Sequence, residues 1–229
     1  MTARTTRIIL LAAVFALATS VAGFAQLPCG VANQITCLAW DGGSNLYASQ
    51  NDTVSGFGNF ATVYQQFTLP GTATWDVESF HWVGGYFNPP NQGPITGWTL
   101  NLYNNGVGGP GGQIATGFFP GTGGETFIAN VNGFPIYVYW LYFQSFDMAP
   151  GTYWASVVPD LGFPPQWGWA TATGGTGTGG YACFFGSCGL TGTDFAYAVD
   201  GKAIPEPGTL IMLGTGILGL AGTLRRKLS

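Results

Sequence analysis

The 229-residue chain is 46% apolar and 15% aromatic, but only 7% of its residues are charged, and its formal net charge is -4. Residues 8–201 contain no Lys or Arg. Binding to nucleic acid requires cationic side chains against phosphate, so the composition excludes nucleic acid as a partner and disfavours nucleotide chemistry. The aromatic content also excludes charge-driven disorder, and the length fits a single folded domain.

The first predicted element is a secretory signal peptide over residues 1–25. Arg4 and Arg7 precede an apolar run at 8–18, and small residues follow it up to Ala25. A basic segment, a short apolar segment and a small-residue cleavage site are the parts of such a peptide. The alternative is a retained membrane anchor, but the run is short for a spanning helix.

Residues 26–203 form the predicted exported domain, and their pattern is that of short strands. Aromatic and β-branched residues alternate with polar ones, and each run is bounded by Gly, Pro or Asn. The predicted strands are 61–69, 75–83, 95–103, 113–119, 125–130, 136–143, 152–158, 166–172, 181–185 and 195–199. Strands at this spacing, without an amphipathic helix, predict an all-β fold, an antiparallel β-sandwich or jelly roll.

Two glycine-rich segments of this domain, 104–112 and 174–180, are interpreted as mobile hairpin loops. Neither is followed by Lys or leads into a helix, so neither is a phosphate-binding loop.

Four cysteines lie towards the two ends of the domain: Cys29, Cys37, Cys183 and Cys188. Disulfides are the expected state in an exported chain. Three pairings are possible, and closeness in sequence favours Cys29 with Cys37 and Cys183 with Cys188. A zinc site is the alternative, but neither spacing is CxxC and the only histidine is far from the second pair.

The catalytic options are few because His81 is the only histidine. It lies within a predicted strand and no GxSxG motif is present, so we interpret it as structural. Asp76 and Glu78 are two residues apart on that strand and would share a face, as the acid and nucleophile of some glycosidases do. Any solvent-facing strand gives acids this spacing, so no catalytic residue is assigned and the chain is expected not to be an enzyme.

The acidic residues of the domain raise the question of a cation. The domain contains nine acidic residues and a single basic one, Lys202. Each acid must therefore be solvated, hydrogen-bonded or metal-bound. Carboxylate oxygens suit Ca²⁺, but no DxDxDG loop is present. Exposed acids without a cofactor are the simpler interpretation, and Ca²⁺ is the alternative.

All eight tryptophans lie in the domain, more than a sandwich of this size is expected to hide. Trp167 and Trp169 are two residues apart beside Pro164 and Pro165, so they would share a face. They are the candidates for a surface that stacks against a sugar, while core packing is the alternative.

The C-terminus combines three features in a fixed order. These are Pro205-Glu206-Pro207, an uncharged apolar stretch at 208–224, and the basic tail Arg225-Arg226-Lys227. A helix over 208–224 would be about 25 Å long, enough to span a thin bilayer, with the cations holding its end in the cytoplasm.

Over about residues 204–229 the chain resembles the PEP-CTERM anchor of Gram-negative bacteria. The resemblance implies export by the general secretory route, transient anchoring in the inner membrane and processing near the Pro-Glu-Pro by an exosortase-type transpeptidase. It also implies a final place at the cell surface or outside the cell, among surface layers and exopolysaccharide.

The sequence therefore predicts a surface-sorted, non-enzymatic β-sandwich protein of the bacterial envelope or exopolysaccharide matrix. A carbohydrate-binding module is the first alternative. A glycoside hydrolase or lyase is the second, and it requires two carboxyl groups about 5–9.5 Å apart in a cleft.

Overall fold

The computed structural model describes residues 27–205 and, beyond them, residues 208, 212 and 215. The predicted signal peptide at 1–25, the basic tail and most of the predicted membrane helix at 208–224 lie outside the described residues. Among the residues that are described, no helix is both long and apolar enough to cross a bilayer.

Residues 27–205 fold into short and medium-length β-strands. In chain order these are β1 (Gln34–Trp40), β2 (Leu46–Ala48), β3 (Gln50–Asp52), β4 (Gly58–Leu69), β5 (Trp75–Phe87), β6 (Gly97–Gly106), β7 (Gly109–Pro120), β8 (Thr126–Val131), β9 (Phe134–Met148), β10 (Gly151–Leu161), β11 (Gln166–Ala170), β12 (Ala172–Thr173), β13 (Gly180–Phe184), β14 (Ser187–Leu190) and β15 (Tyr197–Ala203).

Every predicted strand overlaps an observed one, and four observed strands were not predicted. Of these, β2, β3 and β14 are three or four residues long, too short for alternation to be recognised. The seven-residue β1 is half-buried along most of its length, so it lacks the contrast between a buried and an exposed face.

The glycine-rich segment 104–112 is mostly strand, so its prediction as a loop is wrong. It contains the end of β6 and the start of β7, which are joined by a turn at Val107 and Gly108. A Cβ on Gly106 would lie 2.9 Å from the Cα of Gly111, so glycine here permits close approach of two backbones.

The strands form two sheets. The first sheet has the order β12-β1-β15-β5-β11-β2, with β9 paired to β5 and β8 to β9. The second has the order β14-β13-β4-β3-β10-β6-β7. The pairing of β10 with β3 is parallel, and the other described strand pairs are antiparallel. The all-β class is confirmed, whereas the jelly-roll topology stays a prediction.

The main apolar core lies between the two sheets. Trp82, Tyr139 and Trp167 of the first sheet meet Trp98 and Val157 of the second. The ring centroids of Trp82 and Trp98 are 4.7 Å apart, and those of Trp98 and Trp167 are 5.0 Å apart, both in edge-to-face geometry. The two sheets are therefore joined by packed aromatic rings, which gives a sandwich-like fold.

The core hides more tryptophan than the sequence indicated. The buried indoles are those of Trp40, Trp82, Trp98, Trp154, Trp167 and Trp169. Trp167 and Trp169 are 0% exposed, so the predicted sugar-stacking surface is wrong. Gly84 on the neighbouring strand makes room for Trp167, since a Cβ at Gly84 would lie 2.1 Å from that ring. The two indole N–H groups donate to Tyr139 Oη and to the carbonyl of Ala196.

Candidate functional site

The folded body ends at an interior strand of the first sheet. β15 lies between β1 and β5, and its last residue, Ala203, pairs with Trp75. One residue further, the backbone N–H of Ile204 donates to the carbonyl of Thr74 at 2.8 Å. Pro205, the first residue of the Pro-Glu-Pro, is exposed. The sheet therefore holds the chain up to the residue before this motif.

Charged side chains gather beside the exit point of the chain. Lys202, which pairs with Asp76, donates from Nζ to Glu78 Oε1 at 2.6 Å, and this hydrogen bond raises the pKa of Lys202. Asp147 is the strand partner of Asp76 on the other side. The predicted carboxyl pair of Asp76 and Glu78 thus lies in an ion-pair cluster, and neither residue lines the grooves described below.

His81 is buried on the same strand and binds two neighbours through one ring nitrogen. Its Nε2 is 2.7 Å from Asp200 Oδ2 and 3.2 Å from Ser79 Oγ, and Ser79 Oγ itself donates to Asp200 Oδ2 at 2.6 Å. In a hydrolytic triad the imidazole separates serine from aspartate, with one partner on each nitrogen. Here the three groups tie β5 to β15, which agrees with a structural histidine.

The carboxylate of Asp52 is an acid of the body that is stabilised by backbone hydrogen bonds. It accepts hydrogen bonds from the backbone N–H groups of Val54, Ser55, Phe57 and Phe163 at 2.9–3.0 Å. Burial alone would raise the pKa of Asp52, but these four bonds outweigh it and hold the pKa well below its usual range. A buried anion is thereby stabilised by backbone N–H groups.

Asp194 plays the same part for the second glycine-rich segment, 174–180. Its carboxylate accepts from the N–H of Gly177 at 2.6 Å and of Gly179 at 2.8 Å. A Cβ at Gly175 would lie 2.0 Å from its Oδ2. Glycine is thus required because the loop backbone closes around a carboxylate.

Backbone and hydroxyl groups thus donate to Asp52, Asp194 and Asp200, acids for which the sequence left Ca²⁺ binding as an alternative. Within residues 27–205 and the three isolated positions, no group of three or more His, Cys, Asp or Glu side chains could hold a metal ion. A calcium ligand set stays a prediction without assigned residues.

Glu125 connects the surface to the aromatic core. Its Oε1 accepts from the hydroxyls of Tyr86 and Tyr139, and Tyr139 in turn accepts from Trp167 Nε1 at 3.0 Å. Burial, and then the hydrogen bond to Glu125, raises the pKa of Tyr86 far above its ordinary value. Both phenols stay protonated and serve as donors. Sequence reasoning missed this network because its members come from four distant segments.

A groove of about 480 Å³ lies beside β2, an edge strand of the first sheet. We call it the β2 groove; it is lined by Asp41, Ser44, Asn45, Leu46, Tyr47, Phe87, Phe134, Thr171 and Thr193. Carboxylate, amide and hydroxyl groups alternate there with aromatic rings. This mixture suits a neutral, hydroxyl-rich ligand.

One wall of the β2 groove is fixed by hydrogen bonds. Asp41 Oδ2 accepts from Thr171 Oγ1 at 2.5 Å, and Asp41 Oδ1 accepts from the N–H of Gly43 at 2.7 Å. The neighbouring N–H of Thr171 donates to the carbonyl of Asn45 at 3.2 Å. The polar groups are therefore held in place before any ligand arrives, which lowers the entropic cost of binding.

The four cysteines form two disulfides, Cys29–Cys37 and Cys183–Cys188, in agreement with the pairing that sequence closeness favoured. Cys183 and Cys188 face each other across the β13–β14 hairpin. This bridge closes the turn between β13 and β14.

Comparison with known protein families gives a match to the C-terminal segment. No curated protein and no solved structure matches the chain. Residues 203–227 match the PEP-CTERM protein-sorting motif, and the match begins at the last residue of β15. This motif implies export, transient anchoring in a membrane and processing by an exosortase, a membrane enzyme. The chain is thus a β-rich body joined directly to a C-terminal PEP-CTERM sorting signal.

Proposed function

We propose that this protein is a non-enzymatic β-sandwich component of the bacterial cell surface or exopolysaccharide matrix, delivered there by its sorting signal. The observation that carries the proposal is the junction between the β-rich body and the sorting signal. β15 is paired up to Ala203 and the motif begins at that residue, so the body is the cargo and nothing separates it from the signal. The His81 and Glu78 clusters hold strands together, which supports a role without catalysis.

The basic tail provides the first test. Replacing Arg225, Arg226 and Lys227 by Ser removes the charges that stop transfer across the membrane, so we expect the precursor to lose membrane retention and processing. The matched control is Lys202→Ser, which removes the one basic side chain of the exported body at an exposed position. Retention and processing that are equal in all three proteins would contradict the proposed sorting.

A second candidate function, binding of a neutral polysaccharide, is favoured by the β2 groove. Its fixed carboxylate, amide and hydroxyl groups beside Tyr47, Phe87 and Phe134 offer both hydrogen bonds and ring faces. Asn45 is exposed in this groove, so Asn45→Ala removes a ligand contact at little cost to the fold. Loss of one hydrogen bond would weaken binding by about three- to tenfold.

A glycan array on the wild type identifies the ligand, and titration of that glycan compares the variants. Asn91→Ala is the control, since Asn91 is also exposed but lies outside the groove. Wild-type binding that saturates, with a loss in Asn45→Ala only, would support the candidate. No saturable binding to any glycan would eliminate it and leave the sorting proposal intact.

A further inference from the structure

Five phenylalanine rings cluster at one end of the body. They belong to Phe57, Phe60, Phe163, Phe184 and Phe185, and we call this cluster the aromatic tip. Phe60 is buried, whereas Phe57, Phe184 and Phe185 are 51%, 48% and 61% exposed. The rings surround an open cleft of about 240 Å³. An exposed aromatic patch of this kind marks a surface that contacts another body.

At the aromatic tip, one bulky residue adopts a backbone conformation that is unusual for its type. Phe185 has φ of +46° and Gly186 has φ of +81° in the two-residue turn between β13 and β14. Asn or Gly adopts the first of these conformations readily, whereas a bulky residue rarely does. The turn is held by the Cys183–Cys188 disulfide and by the Phe185 N–H, which donates to the carbonyl of Phe60 at 2.7 Å. Strain of this sort is typical of functional positions, so the exposed ring itself is the useful feature.

Several polar groups around the aromatic tip are engaged in hydrogen bonds. Asn88 Nδ2 donates to Gln166 Oε1 at 3.2 Å, and Ser55 Oγ donates to the carbonyl of Phe163 at 2.6 Å. Asp52 is saturated by four backbone N–H groups. The segments 53–75 and 161–193, which supply the five rings, contain no charged residue. The tip therefore offers an uncharged and mainly apolar surface, unlike the β2 groove, whose lining includes the carboxylate of Asp41.

The aromatic tip lies opposite to the point where the chain leaves the first sheet after Ala203. β5 begins at Trp75, the partner of Ala203, and ends at Phe87, next to Asn88 in the tip cleft. At about 3.3 Å per residue, this strand separates the two ends by about 40 Å. The tip is thus remote from the point at which the chain continues into the sorting motif.

We propose that the aromatic tip inserts into the interfacial region of a second, uncharged lipid bilayer facing the one that holds the sorting signal. Phenylalanine rings without adjacent cations gain from leaving water and have no attraction for anionic headgroups. The acidic body would be repelled by an anionic surface, so a zwitterionic one is preferred. The direction of insertion rests on the anchoring proposed above, while the affinity of the tip for lipid does not.

The test uses the full chain in immobilised phosphatidylcholine proteoliposomes and counts the labelled, protein-free phosphatidylcholine vesicles that they capture. The key variant is Phe185→Asn, because Asn suits the left-handed turn and removes the exposed ring. We expect at least a tenfold loss of capture with a melting temperature equal to or above that of the wild type. The control is Tyr142→Asn, an aromatic residue 70% exposed on β9 that lies outside the tip, and its capture should equal that of the wild type.

Three outcomes would overturn the proposal. The first is that Phe185→Asn captures as many vesicles as the wild type. The second is that Tyr142→Asn loses as much capture as Phe185→Asn, which would show that the loss is not specific to the tip. Capture only by acceptor vesicles that themselves carry the chain would show that the partner is a second copy. Flotation of each protein with its own vesicles measures anchoring separately, so failure of the anchor is distinguished from failure of the tip.

Discussion

The carboxylate of Asp52 gives the sharpest test of how an almost cation-free body stabilises its acids. In Asp52→Asn the amide oxygen can keep the place of Oδ1, which accepts from Val54, Ser55 and Phe163. The amide NH₂ then occupies the place of Oδ2 and opposes the N–H of Phe57, which donates there at 2.9 Å in the wild type. The substitution thus removes one of the four hydrogen bonds. The acceptor of the remaining three becomes a neutral amide oxygen instead of a charged carboxylate oxygen.

The expected cost follows from these four bonds. A hydrogen bond to a charged acceptor contributes about 1.5–3 kcal/mol and a neutral one about 0.5–1.5 kcal/mol, so replacing four charged bonds by three neutral ones should lower the unfolding free energy by about 4.5–7.5 kcal/mol. For a domain of this size that corresponds to a fall in melting temperature of about 9–30 °C. The control is Asp147→Asn, since Asp147 is exposed and makes no hydrogen bond among the described residues, and its melting temperature should stay within about 2 °C of the wild type.

The dependence on pH has a definite sign. The hydrogen bonds lower the pKa of Asp52 in the folded protein below its unfolded value of about 3.9, so its contribution is complete above that pH and is lost as the pH falls further. The difference in unfolding free energy between wild type and Asp52→Asn, measured by urea titration, should therefore be constant from about pH 5 to 7 and shrink below about pH 4. A variant as stable as the wild type at pH 7, or a difference that grows in acid, would refute the reasoning.

Three further predictions concern the cysteines, the acids and the glycines. Exported protein should yield no free thiol on titration in denaturant, and four thiols per chain would contradict the two disulfides. Melting curves in Ca²⁺, Mg²⁺ and Na⁺ at matched ionic strength should coincide, because most acids of the body accept hydrogen bonds and the described residues contain no group of three or more possible metal ligands; a rise specific to Ca²⁺ would reveal a site. Gly84→Ala should destabilise by about 1–3 kcal/mol or more because its Cβ meets the Trp167 ring, whereas Gly112→Ala, with open space around it, should melt like the wild type.

Features that are local in sequence could be predicted, because short-range physics determines them. Alternation places each predicted strand, closeness pairs the four cysteines, and the Pro-Glu-Pro with its flanks identifies the sorting signal. Trp167 and Trp169 were misassigned for the opposite reason. Alternation shows that the two rings share a face but does not show which face is buried, and Gly84 opens the space that decides it.

The two candidate binding surfaces could not be predicted, because each is assembled from segments far apart in the chain. The β2 groove combines residues near 45, 87, 134, 171 and 193. The aromatic tip joins the turn at Phe185 to Phe57 and Phe163, which approach it only when β4, β10 and β13 pair in the second sheet. A Phe-Gly turn between two cysteines was the one local signal, since most hairpins place Asn or Asp before such a glycine.

The position of β15 relates the fold to the sorting signal. Because β15 lies between β1 and β5, the first sheet stays incomplete until the chain up to Ala203 has left the membrane. Once the sheet is complete, Ile204 is hydrogen-bonded to Thr74, and Pro205, the first residue of the Pro-Glu-Pro, is exposed. An enzyme acting near Pro205 therefore meets the end of a folded sheet. A cut beyond Ile204 leaves every described strand pair intact, so the signal can be removed without loss of the fold that it delivers.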